Sequence, residues 1–286
     1  MGWTLSKRFC ETFPEMPASD GTRKSWEYPA QQGIGCNAMS TQDSANFLAF
    51  LKELRKDCLG AQLILTAAAV LPFYGPDGQS SKDVASFGSV LDWVTIMNYD
   101  VWGSWNSVVG PNSPLDDSCA VPADQMGSAV SAVEAWQKAG MELHQIVLGV
   151  AAYGHSFQVK VADAYNGSSL ALYPPFNKTN QPVGDAWDGD ASGRDVCGNP
   201  VSSGGTFRFW GLIGLGYLNP DGTPRDGIDY VFDDCSRTVI NQHVKQKTFM
   251  TDTAMQAYVY NKTSEIMVSY DDAKVTYHLG AKYPVK

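Results

Sequence analysis

The stretch Val90-Leu91-Asp92-Trp93-Val94-Thr95-Ile96-Met97 is a β-branched and aromatic run that breaks abruptly into Asn98, Tyr99 and Asp100, followed by Trp102, Gly103 and Trp105. The run has the composition of a buried strand, without Gly or Pro. A carboxylate, a phenol and two indoles at its end offer a proton-transfer or hydrogen-bonding group, a polar donor and flat apolar surfaces in one place. In a parallel α/β barrel the working groups sit at the C-terminal ends of the strands, where the following loops begin. A core strand running into a surface loop with one ordinary Asp remains the open alternative on these residues alone.

The elements around this stretch follow an α/β order. Ser40 or Asp43 can cap a helix whose Phe47, Leu48, Leu51 and Leu54 recur at helical spacing. Residues 62–70 read as a buried strand, residues 82–89 as a short helix, and residues 126–139 as a helix with Val130, Val133 and Trp136 on one stripe. Residues 146–157 read as one further strand ending in Tyr153, Gly154, His155 and Ser156. Strand, helix, strand, helix, strand is the α/β signature. Periodicity then fades across residues 158–268, which are rich in Gly, Pro, Asn and aromatics and are expected to depend on a covalent tie more than on a core of their own.

Composition narrows the class. The 286 residues carry a formal net charge of -9. That balance argues against nucleic acid and anionic membranes as partners, since both select basic surfaces. No apolar run reaches the roughly 20 residues of a membrane helix. Six cysteines, Cys10, Cys36, Cys58, Cys119, Cys197 and Cys235, have no CxxC pair and no zinc-like spacing with His. Asn166, Asn177 and Asn261 each open a glycosylation sequon. Sequons beside an even cysteine number favour an extracellular protein, although Met1 to Arg8 holds no signal-peptide apolar core. Asp188-Gly189-Asp190 looks like the start of a calcium loop, but Asn199 stands where the loop needs Glu. No metal and no cofactor is expected. His144, His243 and His278 read as surface or packing residues.

Met97-Asn98-Tyr99-Asp100 resembles the Met-x-Tyr-Asp motif of strand 6 in the family 18 glycoside hydrolases, the chitinases, and Trp93 to Trp105 resembles their secreted fungal branch. Gly2-Trp3-Thr4-Leu5-Ser6 is similar to the segment that closes strand 3 of that family. Asp20-Gly21-Thr22-Arg23-Lys24-Ser25-Trp26-Glu27-Tyr28-Pro29 resembles its signature Asp-Gly-x-Asp-x-Asp-x-Glu, with Arg23 and Ser25 in place of the two inner aspartates. Tyr153-Gly154-His155-Ser156-Phe157 is similar to its Tyr-Gly-Arg-x-Phe, with His155 for Arg.

The resemblance implies a partial TIM (β/α)8 barrel over residues 1–156, from the end of strand 3 to strand 7. It further implies a chitinase-type α+β insertion over residues 157–268 and the start of a helix before a missing strand 8 over residues 269–286. With residues 157–268 set aside, too few remain for the about 250 residues of a whole barrel. The family chemistry is retaining hydrolysis of β-1,4-linked N-acetylglucosamine, with the substrate's own acetamide as nucleophile. Glu27 takes the acid/base role, and Tyr99 and Asp100 hold the acetamide and orient the sugar. Trp3, Tyr28, Met97, Trp102, Trp105 and Tyr153 line the substrate site. Ser25 cannot supply the charge of the family's second aspartate, and one lost preorganised contact costs roughly 10²–10³ in turnover.

The expectation is a monomeric, extracellular chitinase-family protein with weak or absent turnover. A non-catalytic binder of chitin oligosaccharides and a truncated product without function are the alternatives. From placement in the loops, Cys36 pairs with Cys119 and Cys197 with Cys235, though six cysteines leave connectivity open.

Overall fold

The computed structural model describes residues 27–32, 38–189, 194, 197–200, 203–233 and 256–271. Trp3, Arg23, Ser25, Cys36 and Cys235 lie outside the described residues. Two compact units divide the chain: residues up to Met97 with Ala132–Gly149, and Asn98–Ser131 with the residues from Val150 onward.

The first unit is built on a three-stranded parallel sheet of β1 (Thr66–Ala69), β2 (Trp93–Ile96) and β3 (Ile146–Leu148), in that order. Register pairs Ala67 with Val94 and Val94 with Ile146, so Ala67, Ala69, Val94, Ile96, Ile146 and Leu148 share one face. That face packs on α1 (Asp43–Lys56), α2 (Ala85–Gly88) and the Trp136 side of α3 (Ala129–Lys138). Phe73 stands edge-on to Trp136, with ring centroids 5.3 Å apart, and lies against Phe87 at 4.5 Å. The strands are shorter than the apolar runs suggest and are buried on one face only: Val147, on the other, is exposed. Arg55 ties the start of the sheet to α1. Its guanidinium donates to Val90 O at 2.8 Å, Leu63 O at 2.6 Å and Asp92 Oδ2 at 2.8 Å. The Leu65 N–H and Arg55 together hold the Asp92 carboxyl below its usual range. The N-cap of α1 is Gln42, with no side-chain cap bond, so neither Ser40 nor Asp43 caps the helix as expected. They brace the preceding turn instead, the Ser40 N–H donating to Asp43 Oδ2 and Ser40 Oγ accepting from the Gln42 N–H.

The second unit corrects the reading of residues 146–157 as one strand. The chain leaves β3 at Leu148 and re-enters as β4 (Tyr153–Gln158) in a different sheet. That sheet has five antiparallel strands in the order β7 (Thr206–Arg208), β4, β10 (Ile266–Asp271), β9 (Gln256–Asn261) and β8 (Ile228–Phe232). A hairpin of β5 (Tyr165–Asn166) and β6 (Ser169–Leu170) lies between β4 and β7 in the chain, and α4 (Phe209–Gly214) follows β7 directly.

Both faces of the five-stranded sheet are covered. Phe157, Tyr258, Tyr260 and Met267 pack with Val109, Val159, Ala164 and Leu170 on one side. Phe207, Ala257, Val259, Val268 and Tyr270 pack with Leu212, Tyr217 and Leu218 on the other. Residues 158–268 therefore contribute to substantial cores, contrary to the expectation that a covalent tie would dominate. Cys58, Cys119 and Cys197 are each in a disulfide. No helix among the described residues is long and apolar enough to cross a membrane.

Candidate functional site

The loop that follows β2 is shaped by side chains that act as backbone substitutes. Asn98 Nδ2 donates to Pro114 O at 2.9 Å, and Asn106 Oδ1 accepts the Gly103 N–H at 2.9 Å. Asn112, wholly buried, uses every one of its groups. Its Oδ1 accepts the Asp100 N–H at 3.1 Å, its carbonyl the Val101 N–H at 3.0 Å, and its Nδ2 donates to Tyr153 O at 2.9 Å. Its own N–H donates to Ser269 Oγ at 3.1 Å. One residue thus ties three places together, its side chain holding the Asp100 backbone and β4 and its backbone N–H holding β10. Asp100 sits at φ 58°, the left-handed region that Asp and Asn tolerate better than other non-glycine residues.

Held in this way, the Asp100 carboxylate meets two donors on one oxygen. Tyr153 O–H donates to Asp100 Oδ1 at 2.7 Å, and His155 Nε2 lies 2.7 Å from the same atom. An ionised carboxylate only accepts, so the His155 tautomer here carries its hydrogen on Nε2. Tyr153 and His155 are two apart on β4 and so share a face of the sheet. Burial pushes the Asp100 carboxyl up, but hydrogen bonds from His155 and Tyr153 and the charge interaction with His155 outweigh it, and the net shift is downward. Burial, then the bond to Asp100, pushes the Tyr153 phenol far above its usual value. The Asp100 side chain is 46% exposed, so the carboxylate is open to solvent.

Aromatic surface flanks this carboxylate. Tyr99 meets Tyr153 edge-on at 6.1 Å, and Trp105, an exposed indole, stands edge-on to His155 at 5.4 Å. Trp102 does not join them. It is 2% exposed, packed on Tyr173 at 5.6 Å and against Gly110, where an added Cβ would fall 2.2 Å from the indole. Trp102 is a packing residue, contrary to its expected sugar-stacking role. Met97 is likewise buried, its N–H bonded to Ala69 O at 3.1 Å.

In the first unit, Glu27 and Tyr28 are half-buried and line a cleft of about 220 Å³ with Val70, Leu71, Phe73 and Tyr74. The Asp188 that opened the calcium-like stretch is engaged by the protein itself. Its oxygens accept from the N–H groups of Gly184, Gly205 and Thr206 and from Ser203 Oγ. Among the described residues no cluster of metal-binding side chains is present.

Sequence reasoning missed Asn112 and named His155 only as a replacement. The signal for Asn112 was weak, an Asn between two prolines in a polar loop. One prediction belongs to this geometry. Tyr153→Phe removes one of two donors from Asp100 Oδ1, so the Asp100 pKa should rise toward its ordinary value, read from carboxyl carbon chemical shifts against pH. A shift that stays put or falls would show that the phenol does not stabilise the anion.

The exposed carboxylate, the donors behind it and the neighbouring indole form one polar-plus-aromatic cluster. Residues 10–283 match the family described as Glycosyl hydrolases family 18, and the chain belongs to that family. The resemblance read from the motifs is borne out at that level. Chitinase-like effectors of Moniliophthora roreri and Moniliophthora perniciosa are each 50% identical to it, over 260 and 265 residues, covering 90% and 92% of this chain and 58% and 56% of theirs. A chitinase of Rhizomucor miehei superposes with a TM-score of 0.73 at 30% identity, covering 90% of this chain and 63% of its own. A family 18 chitinase of Cycas revoluta, solved in complex with (GlcNAc)4, shares the fold at a TM-score of 0.55 and 20% identity, covering 90% of this chain and 59% of its own. The chain spans less than two thirds of the length of each of these proteins. The neighbours are of the TIM-barrel type, and the chain itself is α/β.

Proposed function

We propose that this chain binds β-1,4-linked N-acetylglucosamine oligomers at the Asp100 site and turns them over slowly if at all. The observation that carries this is the half-exposed Asp100 carboxylate held through one oxygen by Tyr153 and His155, with the exposed Trp105 indole packed edge-on to that His155. A sugar hydroxyl or amide N–H can donate to the free Oδ2, while the apolar face of the ring stacks on Trp105. His155 and Tyr153 keep the carboxylate ionised and oriented, so little reorganisation is needed when the sugar arrives.

In the family mechanism the substrate's acetamide oxygen attacks its own anomeric carbon while an acid protonates the leaving oxygen. Glu27 occupies the signature position of that acid. Ser25, two residues earlier, offers a hydroxyl where the family places a carboxylate, and so lends no charge to the positive oxazolinium intermediate. Binding without efficient turnover follows from that pairing. The chain is best read as a monomer acting outside the cell, with Asn166 and Asn177 exposed for glycans.

The test is calorimetric titration of chitin oligomers against the wild type, Trp105→Ala and Asp100→Ala, with Phe50→Ala, an exposed residue of α1, as the control. Both site variants are expected to lose about tenfold or more in affinity while Phe50→Ala binds as the wild type does. Trp136, buried in the first core, would not serve as a neutral control. Absence of binding by the wild type, or site variants that bind unchanged, would remove the reading. Robust hydrolysis abolished by Glu27→Gln would replace it with a working hydrolase.

A further inference from the structure

Trp187 and Trp210 are 60% and 45% exposed, with ring centroids 3.8 Å apart and planes at 83°. Two indoles left this open are costly in apolar surface, yet their backbones are not loose. Asp185, with its side chain 1% exposed, anchors both segments. Its Oδ1 accepts the Trp187 N–H at 2.9 Å and Arg208 Nη1 at 2.8 Å, and its Oδ2 accepts the Arg208 N–H at 2.7 Å. Asp188, through the four donors described above, clamps the adjoining chain to the start of β7. Arg208 is the N-cap of α4, so the anchor also sets where Trp210 projects. A buried charge satisfied by the two segments that carry two exposed indoles makes a rigid aromatic corner.

The place of this corner in the sheet says what it faces. β7 pairs antiparallel with β4, with Arg208 opposite Tyr153 and Thr206 opposite His155. Residues directly opposite in such a pair have Cβ atoms roughly 4.5–5.5 Å apart on the same face. The face that presents Tyr153 and His155 to Asp100 therefore includes Thr206 and Arg208, and Arg208 leads directly into the helix that carries Trp210. We propose that Trp187 and Trp210 form an additional saccharide-binding subsite, engaging residues of a longer N-acetylglucosamine oligomer beyond those held at Asp100 and Trp105. This rests on the binding reading given above. A repeating polymer supplies the same apolar ring face at each residue, which suits a second exposed aromatic surface in the same unit.

Chain length separates this subsite from the primary site. The dimer and hexamer of N-acetylglucosamine are titrated by calorimetry against the wild type, Trp105→Ala, Trp187→Ala, Trp210→Ala, and the conservative Trp187→Phe and Trp210→Tyr, with near-ultraviolet circular dichroism to verify folding. Trp105→Ala should weaken both ligands. Trp187→Ala and Trp210→Ala should weaken the hexamer about tenfold and leave the dimer unchanged, while the conservative variants keep most of the hexamer affinity. If both alanine variants bind the hexamer as the wild type does, the subsite is wrong and the Asp100 reading stands. If they weaken the dimer equally, or the aromatic replacements fail as badly as alanine, the corner acts through the fold and the proposal is overturned. A wild type that binds neither ligand overturns both readings.

Discussion

Gly154→Ala is expected to be among the most damaging single substitutions in the second unit. An added Cβ would lie 1.9 Å from Ser269 O and 2.7 Å from the Tyr270 side chain, at the last pair of the β4–β10 register, where Gly154 also pairs with Phe207 of β7. The obstacle is backbone, so it cannot be relieved by a rotamer change, and the two strands must separate. The loss belongs at the upper end for point changes, about 4 kcal/mol, read as a fall in urea midpoint at unchanged slope. Gly189→Ala, where an added Cβ meets nothing, is the control and should stay within about 0.5 kcal/mol of wild type. Because Gly154 lies between Tyr153 and His155, oligosaccharide binding should disappear with it. A Gly154→Ala protein as stable as wild type would contradict the strand pairing itself.

Trp136→Ala is the counterpart in the first unit. The indole is fully buried, edge-on to Phe73, and its Nε1–H reaches Val70 O at 3.4 Å. Large-to-small changes of this kind leave a cavity and cost about 3–5 kcal/mol. The expected result is a markedly lower midpoint for the transition reported by this unit, with Trp136→Phe intermediate, since it restores much of the volume but not the N–H. A change below about 1 kcal/mol would mean that the α3–sheet core is not what holds the unit together.

These two residues also show what could be read from sequence. Trp136 was legible because Val130, Val133 and Trp136 repeat at helical spacing, and α1, β1 and β2 were legible for similar local reasons. The break between β3 and β4 was not. Gly149-Val150-Ala151-Ala152 is apolar and carries no turn signal beyond a single glycine, so two strands read as one. The five-stranded sheet was hidden by its double burial: Ala257, Val259, Tyr258 and Tyr260 alternate between two cores, and an all-apolar strand shows no period of two.

At the site, Tyr99, Asp100 and Tyr153 were found from motif and placement, and the structure brings them together. Trp102 and Trp105 were indistinguishable in sequence. What separates them is Gly110, whose missing Cβ gives Trp102 a place to lie. Asn112 escaped notice because its four hydrogen bonds reach partners from Asp100 to Ser269, none of which local periodicity can reveal.

The left-handed backbone at Asp100 has a consequence for how this position can change over generations. A φ of 58° penalises most side chains through their Cβ, whereas Asn and Gly sit there at little cost. Both are one nucleotide away from an aspartate codon. The carboxylate can therefore be erased by a single base change that leaves the loop intact, through Asn with its shape retained or Gly with the side chain gone. Position 100 is a place where charge can be gained or lost almost independently of folding, so its chemistry can drift while the scaffold persists.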